Sequence, residues 1–560
     1  MELIVYQTSS LNKTLIDDAR RPVPLNNLSC LKGEEISWQI VCKLTGTGTN
    51  ARFCQEFDCE INSDLSDTVT VREIVNIPSE VPAHIGVSWG SDEDFITTKP
   101  GLFPDLLQEL HDGKLELPFN YYRGFWVSVK VSKDTKAGIY PVTFRLKNEE
   151  LGLSAEKTMK LEIIDAVLPE QRLMHAEWFH SDCLMSYYRV DALSEEHWKQ
   201  CEAFIKCAVD NGINTILTPI FSLTMDRREG VCRPVLQLVK VKKEGHRYHF
   251  DFADLKRWIK MCLDLGVKNI ELSHLFTQWG AKYAPVIMVE EDGKLNQKFG
   301  WHTPGMCEEY QDFLRQFLPQ ITEFLRAEGI AERTLFHVSD EPCIQDRDAY
   351  KAALELVAPY LEGFRIIDAV FDVDMYAENI VKDPVALTAR YHLCVETGRK
   401  PDYVYYLFGQ TVHWSNRLFA MESRRNRVLA LQLYEHDIKG FLHWGFNFWY
   451  NYDSRYILDP FMTTDGRNTY VSGCPFLVYP GRDGKPMESI RLKVLHEAMQ
   501  DLRALQLLEQ WMSKGEVLQM LHELTGEPVA FDWRAPDDST LLSIREKINQ
   551  LIKSKVCAVQ

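Results

Sequence analysis

Asp340 and Glu341 stand side by side in "LFHVSDEP", residues 335–342, behind an apolar run and in front of Pro342. Neighbouring carboxylates repel, and partial burial raises the cost of charging either, so their pKa values are driven apart. One then stays ionised while the other keeps its proton, which is the division that general acid–base chemistry needs. The competing role is a helix cap, since acids complement the positive end of a helix and proline suits a first turn. Capping accounts for one acid better than for two.

Other apolar runs end in groups that could join such a pair. The first such run leads to Trp178, His180 and Asp182, and the third to His274 and Trp279. A seventh leads to Tyr405, Tyr406 and Gln410, and an eighth to Trp444, Asn447, Trp449 and Tyr450. Acids, hydrogen-bonding groups and large flat rings on one mouth suit a sugar, whose C–H faces stack on aromatics while its hydroxyls take directed hydrogen bonds. Any single ring could equally be barrel core.

These residues must be held by a scaffold that gathers strand ends. From "HAEWFH" to "GFLHWGFNFW" the chain offers eight strand-like runs with mostly helical connections. The others are "INTILTPI", "VKNIELSHLF", "RTLFHVSDEP", "FRIIDAV", "VALTA" and "DYVYYLFG". This pattern predicts a central (β/α)8 TIM-type barrel, whose active sites lie at the carboxyl ends of the strands. Before it, runs such as "EISWQIVCKL" and "GIYPVTFRLKN" alternate apolar and polar residues, as strands of a β-sandwich do. After it, "ESIRLKVLHEAMQDLRALQLLEQW" and "TLLSIREKINQLIKS" read as helices. The reading is a multidomain α/β protein: a β-sandwich over 1–168, the catalytic barrel over 169–484, and a C-terminal helical region over 485–560 packed on the barrel.

Composition narrows the partners. A net charge of -17, from 63 basic and 80 acidic residues, argues against a broad phosphate-binding surface, so neither nucleic acid nor an anionic membrane is expected. No leader with a basic start and apolar core opens the sequence, and no apolar stretch is long enough to span a bilayer, so a soluble, cytoplasmic protein is expected. The 14 cysteines have no paired metal-ligand spacing and read as reduced thiols. The sequons at Asn12 and Asn27 then carry no glycan. "GTGTNA", Gly46 to Ala51, fits a dinucleotide fingerprint on paper, but strand-like alternation follows it instead of a helix. His246 and His249 read as a hairpin pair, and Asp372 and Asp374 as a loop after the fifth strand. No G-x-S-x-G elbow occurs, and neither cofactor nor metal is expected.

The "SDEP" strand end, "GFLHWGFNFW" and the later "FLVYPGRDGKPMESIRLKVLHEAMQDL", behind a β-rich amino-terminal part, together resemble glycoside hydrolase family 123. The resemblance covers most of residues 120–505. Where the family continues toward an Arg-x-Gly-x-x-Asp pattern, this chain reads "LHEAMQDL", and His496, Ala498 and Asp501 keep only part of it. The resemblance implies a β-N-acetylgalactosaminidase with substrate-assisted catalysis, Asp340 and Glu341 being the matching pair. Asp340 would orient the acetamido group and Glu341 would act as the proton donor.

Residue physics agrees with that implication. Two separate carboxylates need about 5–5.5 Å for retention or about 6.5–9.5 Å for inversion. Adjacent side chains on one strand diverge and suit neither. Tyr405 is expected to meet the acetamido oxygen, with Trp444 and Trp449 as floor and wall and Trp178, His180, Asp182, His274, Trp279 and Asn447 as further substrate contacts. Galacto and gluco sugars both fit. Two alternatives remain: a non-acetamido glycosidase using Asp372 or Asp182 as nucleophile, and a carbohydrate-binding barrel without activity.

Overall fold

The computed structural model of the 560-residue chain describes residues 1–18, 20–47, 53–83, 94–223 and 233–559. The amino-terminal part forms two five-stranded sheets. Alternation dictates how they meet. On the strand Glu35–Thr45, Trp38, Ile40, Cys42 and Leu44 point one way, into a core shared with Phe144, Leu146, Met159 and Leu161 of the second sheet. The opposite face of the first sheet, including Trp126, Ile74 and Leu106, belongs to the large core of the barrel. Beyond Thr47 the glycine-rich "GTGTNA" lies outside the described residues, and the next element is the strand Cys54–Asn62. Among the described residues, a strand and not a helix amino terminus comes next.

The central part is a closed barrel of eight strands, all paired in parallel. They are Met174–Glu177, Thr215–Thr218, Asn269–Leu272, Thr334–Phe336, Arg365–Val370, Asp383–Leu387, Tyr403–Tyr405 and Gly440–His443. Each overlaps one of the eight runs singled out above, the first beginning one residue and the sixth two residues before its run, and helices occur in the connections between successive strands. Ala176, Leu217, Leu335, Ile367, Ala369, Val385, Leu387, Tyr403, Tyr405 and Leu442 form a cluster of their own, the row of alternate positions that fills the barrel.

Two hairpins decorate the carboxyl-end loops. Lys240–Glu244 pairs with Arg247–Asp251 after the second barrel strand, and Ile287–Glu291 with Lys294–Phe299 after the third. They join in one four-stranded sheet through Lys242 and Glu290. His249 sits in the first hairpin, exposed beside Glu244.

The first helix of the carboxyl-terminal region, Ile490–Leu508, which the helices Lys514–Thr525 and Asp538–Val559 follow, is buried on nearly every side. Its charged residues explain how. Arg491 holds Asp105 of the first sheet through two bonds of 2.8 and 2.9 Å, and Lys493 holds Glu35 at 2.7 Å. The helix thus lies between the amino-terminal sheets and the barrel, as well as against the barrel itself. Among the described residues, no helix is long and apolar enough to cross a membrane.

Candidate active site

The fourth barrel strand closes at Phe336, and residues 337–342 continue as irregular backbone in which Glu341 is left-handed, with φ 44°. The turn, not strand alternation, therefore sets the directions of Asp340 and Glu341. A non-glycine residue in this region costs about 1–2 kcal/mol, and such strain concentrates at functional sites. The capping alternative finds no support in the elements that follow. The 3-10 turn Ile344–Asp346 and the helix Arg347–Val357 begin further on without side-chain caps, and the Ile344 amide donates to Asp372 Oδ2 at 2.9 Å.

Both acids are half-buried. From the seventh strand, the Tyr405 hydroxyl donates to Glu341 Oε1 at 2.5 Å. Lost hydration pushes the Glu341 carboxyl above its ordinary value of 4.5, while the Tyr405 bond pulls it back. Among the described residues, no cation contributes to holding its charge. Asp340 is fixed through its backbone, where its carbonyl accepts the Trp279 amide at 2.8 Å.

Three residues before the pair, His337 lies between two carboxylates. Its Nε2 is 2.6 Å from Glu271 Oε1 and its Nδ1 is 3.2 Å from Asp368 Oδ1. Burial alone would lower its pKa, but bonds to Asp368 and Glu271 and their charges raise it to about 10, so the ring is an imidazolium at neutral pH. Trp178 Nε1 donates to the same Glu271 oxygen at 2.7 Å, and the Tyr350 hydroxyl donates to Asp368 Oδ2 at 2.5 Å. His274 stacks on His337 with ring centroids 4.3 Å apart. Burial and the neighbouring charge drive its pKa well below 6.5, so it is neutral. Among the described residues, both His274 nitrogens and Glu271 Oε2 are buried without a hydrogen-bond partner. Buried polar atoms are normally paired, so these are the natural contacts for a polar ligand.

Potential ligand atoms of His274, His337 and Asp368 lie within 4.8 Å of one another. Both nitrogens of His337 are already committed to carboxylates, and the two rings are only 27° from parallel, so their lone pairs run side by side instead of converging. His337 with Asp368 and Glu271 is better described as a hydrogen-bonded charge network, on which the neutral His274 ring stacks.

The end of the first strand is a separate, internally satisfied cluster. His180 is fully buried, its Nε2 donating to the Trp444 carbonyl at 2.8 Å. Burial and the Arg233 charge lower its pKa to about 4, so the ring is neutral with Nδ1 free to accept from Arg233 Nη2 at 3.4 Å. Arg233 also grips Asp182 through Nε and Nη2, at 2.5 and 2.7 Å. Asn447 bridges His180 in both directions, accepting from its amide at 2.8 Å and donating to its carbonyl at 3.1 Å.

The structure thus sorts the expected contacts. Trp178, His274 and the unforeseen Glu271 and His337 converge, and Tyr405 meets Glu341. Trp444 is half-buried beside the barrel-filling cluster, and Trp279 is exposed on the turn that binds Asp340. Three placements differ from expectation. Tyr405 bonds to the acid Glu341, a contact that was not foreseen. Trp449 is core: its ring packs on Phe204 and Tyr187, and its Nε1 donates to the Val478 carbonyl at 3.2 Å. The eighth strand ends at His443, so its alternation does not carry as far as residue 449. Asn447, with His180 and Asp182, serves a buried scaffold. Glu271 had one visible signal, a charge inside the apolar run "NIEL".

The sequence profile of the glycoside hydrolase 123 catalytic domain matches residues 178–508, from Trp178 to the end of the buried helix. Among solved structures, a family 123 glycoside hydrolase from Clostridium perfringens, studied for glycolipid glycan hydrolysis, aligns over 100% of both chains at 16% identity and TM-score 0.74. Bacteroides uniformis β-glucuronidase 3 aligns over 90% of this chain and 51% of its own, at 11% identity and TM-score 0.29. No curated protein matches the sequence.

Proposed function

We propose, from the premise that this chain belongs to glycoside hydrolase family 123, that it removes terminal β-linked N-acetylgalactosamine or a related 2-acetamido sugar by a retaining, substrate-assisted mechanism. The observation that carries this reading is Glu341, an acid pushed toward its protonated form, held by one neutral donor and adjacent to a second carboxylate. In the first step the acetamido oxygen bonds to the anomeric carbon as the glycosidic C–O bond breaks. Glu341 gives its proton to the leaving oxygen. Asp340 orients the acetamido N–H and offsets the positive charge of the oxazolinium intermediate. In the second step Glu341, now a carboxylate, takes a proton from water as the water oxygen attacks the anomeric carbon and the oxazolinium C–O bond opens.

Tyr405 keeps Glu341 in place through this exchange. Trp178 and Trp444 supply ring faces, and the unpaired atoms of His274 and Glu271 supply partners for sugar hydroxyls. A separate nucleophile has less support, since Asp182 is locked to Arg233 and Asp372 caps the short helix Val373–Ala377. A (β/α)8 reading of the barrel supports this site, since barrels of that type carry their active sites at the carboxyl ends of the strands. The 13 described cysteines are free, which supports a reducing compartment such as the cytoplasm.

Turnover of aryl β-N-acetylgalactosaminide tests this. Glu341→Gln and Asp340→Asn should each lower kcat by about 10²–10⁴-fold. An oxazoline-mimicking thiazoline should inhibit the wild type tightly. Wild-type rates in both variants, or indifference to the thiazoline, would overturn the reading.

A further inference from the structure

A cleft of about 440 Å³ opens at the amino ends of the first three barrel strands, on the far side of the barrel from Asp340 and Glu341. Three parts of the chain meet there. Gln171 leads into the first barrel strand and Lys268 into the third, Lys130 comes from the first sheet, and His496 and Arg503 come from the helix Ile490–Leu508. The volume suits one small molecule.

Four acids border the cleft, and each is answered by a cation. Glu34 is held by Arg545, Glu35 by Lys493 at 2.7 Å, Asp210 by Lys206 and Glu170 by Lys268 at 3.7 Å. Arg503 differs. Its Nε donates to the Pro169 carbonyl at 2.7 Å, and among the described residues its two Nη groups have neither a hydrogen-bond nor an ion-pair partner. Burial lowers its pKa from the ordinary arginine value, and the charges of Glu34 and Glu170 oppose that shift without touching the guanidinium. Arg427 and Arg545, by contrast, each contact two carboxylates. A guanidinium taken out of water with no acid to meet it is a poor arrangement for stability alone. Two uncharged groups stand with it. His496 is 8% exposed, and burial together with the Lys493 charge lowers its pKa to about 4, so the ring is neutral at neutral pH. Gln171 commits its Nε2 to the Leu173 and Gly212 carbonyls, at 3.2 and 2.8 Å. Among the described residues, His496 Nδ1 and Gln171 Oε1 are buried without a hydrogen-bond partner. Such atoms are normally satisfied, by protein or by a bound molecule.

We infer that this cleft is a second, non-catalytic binding site, and that it takes a monosaccharide carrying an oxyanion, either a phosphate or a carboxylate. The oxyanion lies on the Nη edge of Arg503, whose planar fork of donors matches it. Gln171 Oε1 accepts from a sugar hydroxyl, and His496 Nδ1, on a neutral ring, takes a second. A bare phosphate would leave those two atoms unpaired and much of the cleft unfilled. Lys130 and Lys268 are exposed at the rim, 3.9 and 3.7 Å from Glu35 and Glu170, and draw the anion inward. The occupant touches sheet, barrel and helix at once, and the site stands whatever reaction the barrel mouth performs.

Calorimetry on the full chain tests this, with N-acetylgalactosamine 6-phosphate, galacturonate, inorganic phosphate and neutral galactose as titrants. At least one of the two charged sugars should bind, and which one binds tells phosphate from carboxylate. Arg503→Met should weaken that binding about tenfold or more. The double variant Lys130→Ala, Lys268→Ala changes only exposed side chains and should weaken it about two- to threefold. Glu341→Gln should leave the Kd unchanged, which separates the cleft from the barrel mouth. Should Arg503→Met fail to fold, the rim variant decides the matter. Absence of binding by both charged sugars, binding that ignores the cleft variants, or a loss in Glu341→Gln instead would overturn the site. Galactose or inorganic phosphate bound as tightly as the charged sugar would overturn the ligand assigned to it.

Discussion

Glu341 and Glu497 are both glutamates whose carboxyls burial pushes upward, yet they are held in opposite ways. Glu497, raised to about 7, accepts from Arg427 at 2.8 Å and from Ser10 at 2.7 Å. Arg427 also binds Asp501, which binds Arg545, which closes on Glu34 near the amino terminus. Every member of that network has a charged partner, and the partners come from distant parts of the chain. Glu341 has a single neutral donor, Tyr405, on a strained turn. A carboxyl paired with a guanidinium ties its charge into the fold, whereas one held only by a phenol breaks no ion pair when it releases its proton and recovers it. The seam uses charge as a joint; the barrel mouth leaves it exchangeable.

The contrast can be broken at its strongest point. Glu341→Gln should cost catalysis by the factor given above while leaving thermal stability nearly unchanged, because no ion pair is lost. Arg427→Met should do the reverse. It strands Glu497 and part of the Asp501 pairing, and urea unfolding should show a loss of about 3–5 kcal/mol, while the folded fraction keeps its kcat/KM.

A smaller effect sharpens the boundary between the two regions, where His337 is charged like the seam but lies beside the mouth. Its folded pKa of about 10 exceeds the ordinary 6.5, so the folded state binds the proton more tightly. Its stabilisation is complete below about pH 6.5 and is lost as pH rises through about 10. Melting temperature should fall across that window, and the fall should flatten in His337→Asn. Smallest of all, Tyr405→Phe removes the bond that lowers the Glu341 pKa. The alkaline limb of the kcat/KM profile, which reports loss of that acid's proton, should move upward by about one pH unit or less. A downward shift would contradict the assigned role of the bond.

The barrel strands were legible because each is a short apolar run followed by a helix or turn signal, which the chain states locally. The Asp340–Glu341 pair was legible as an anomaly of charge behind such a run. The partners of His337 were not, since Glu271 and Asp368 lie on the neighbouring strands and are brought to it only by closure of the barrel. Trp449 misled because nothing local announces that the eighth strand stops at His443. The "SIRLKVLHEAMQDL" stretch carried part of the family resemblance, but what its charges do was not legible: Arg491, Glu497 and Asp501 join elements of the fold.

The helix Ile490–Leu508 has a consequence for how such a chain can be inherited. Its cations are answered by Asp105 and Glu35, encoded near the opposite end of the gene. A barrel transplanted into another protein by recombination would arrive with Arg491 deprived of Asp105 and Lys493 of Glu35, and the sheets left behind would lose both cations. The natural unit of exchange therefore takes in the amino-terminal sheets, the barrel and this helix together, and changes at Asp105 are tolerated only together with changes nearly four hundred residues away.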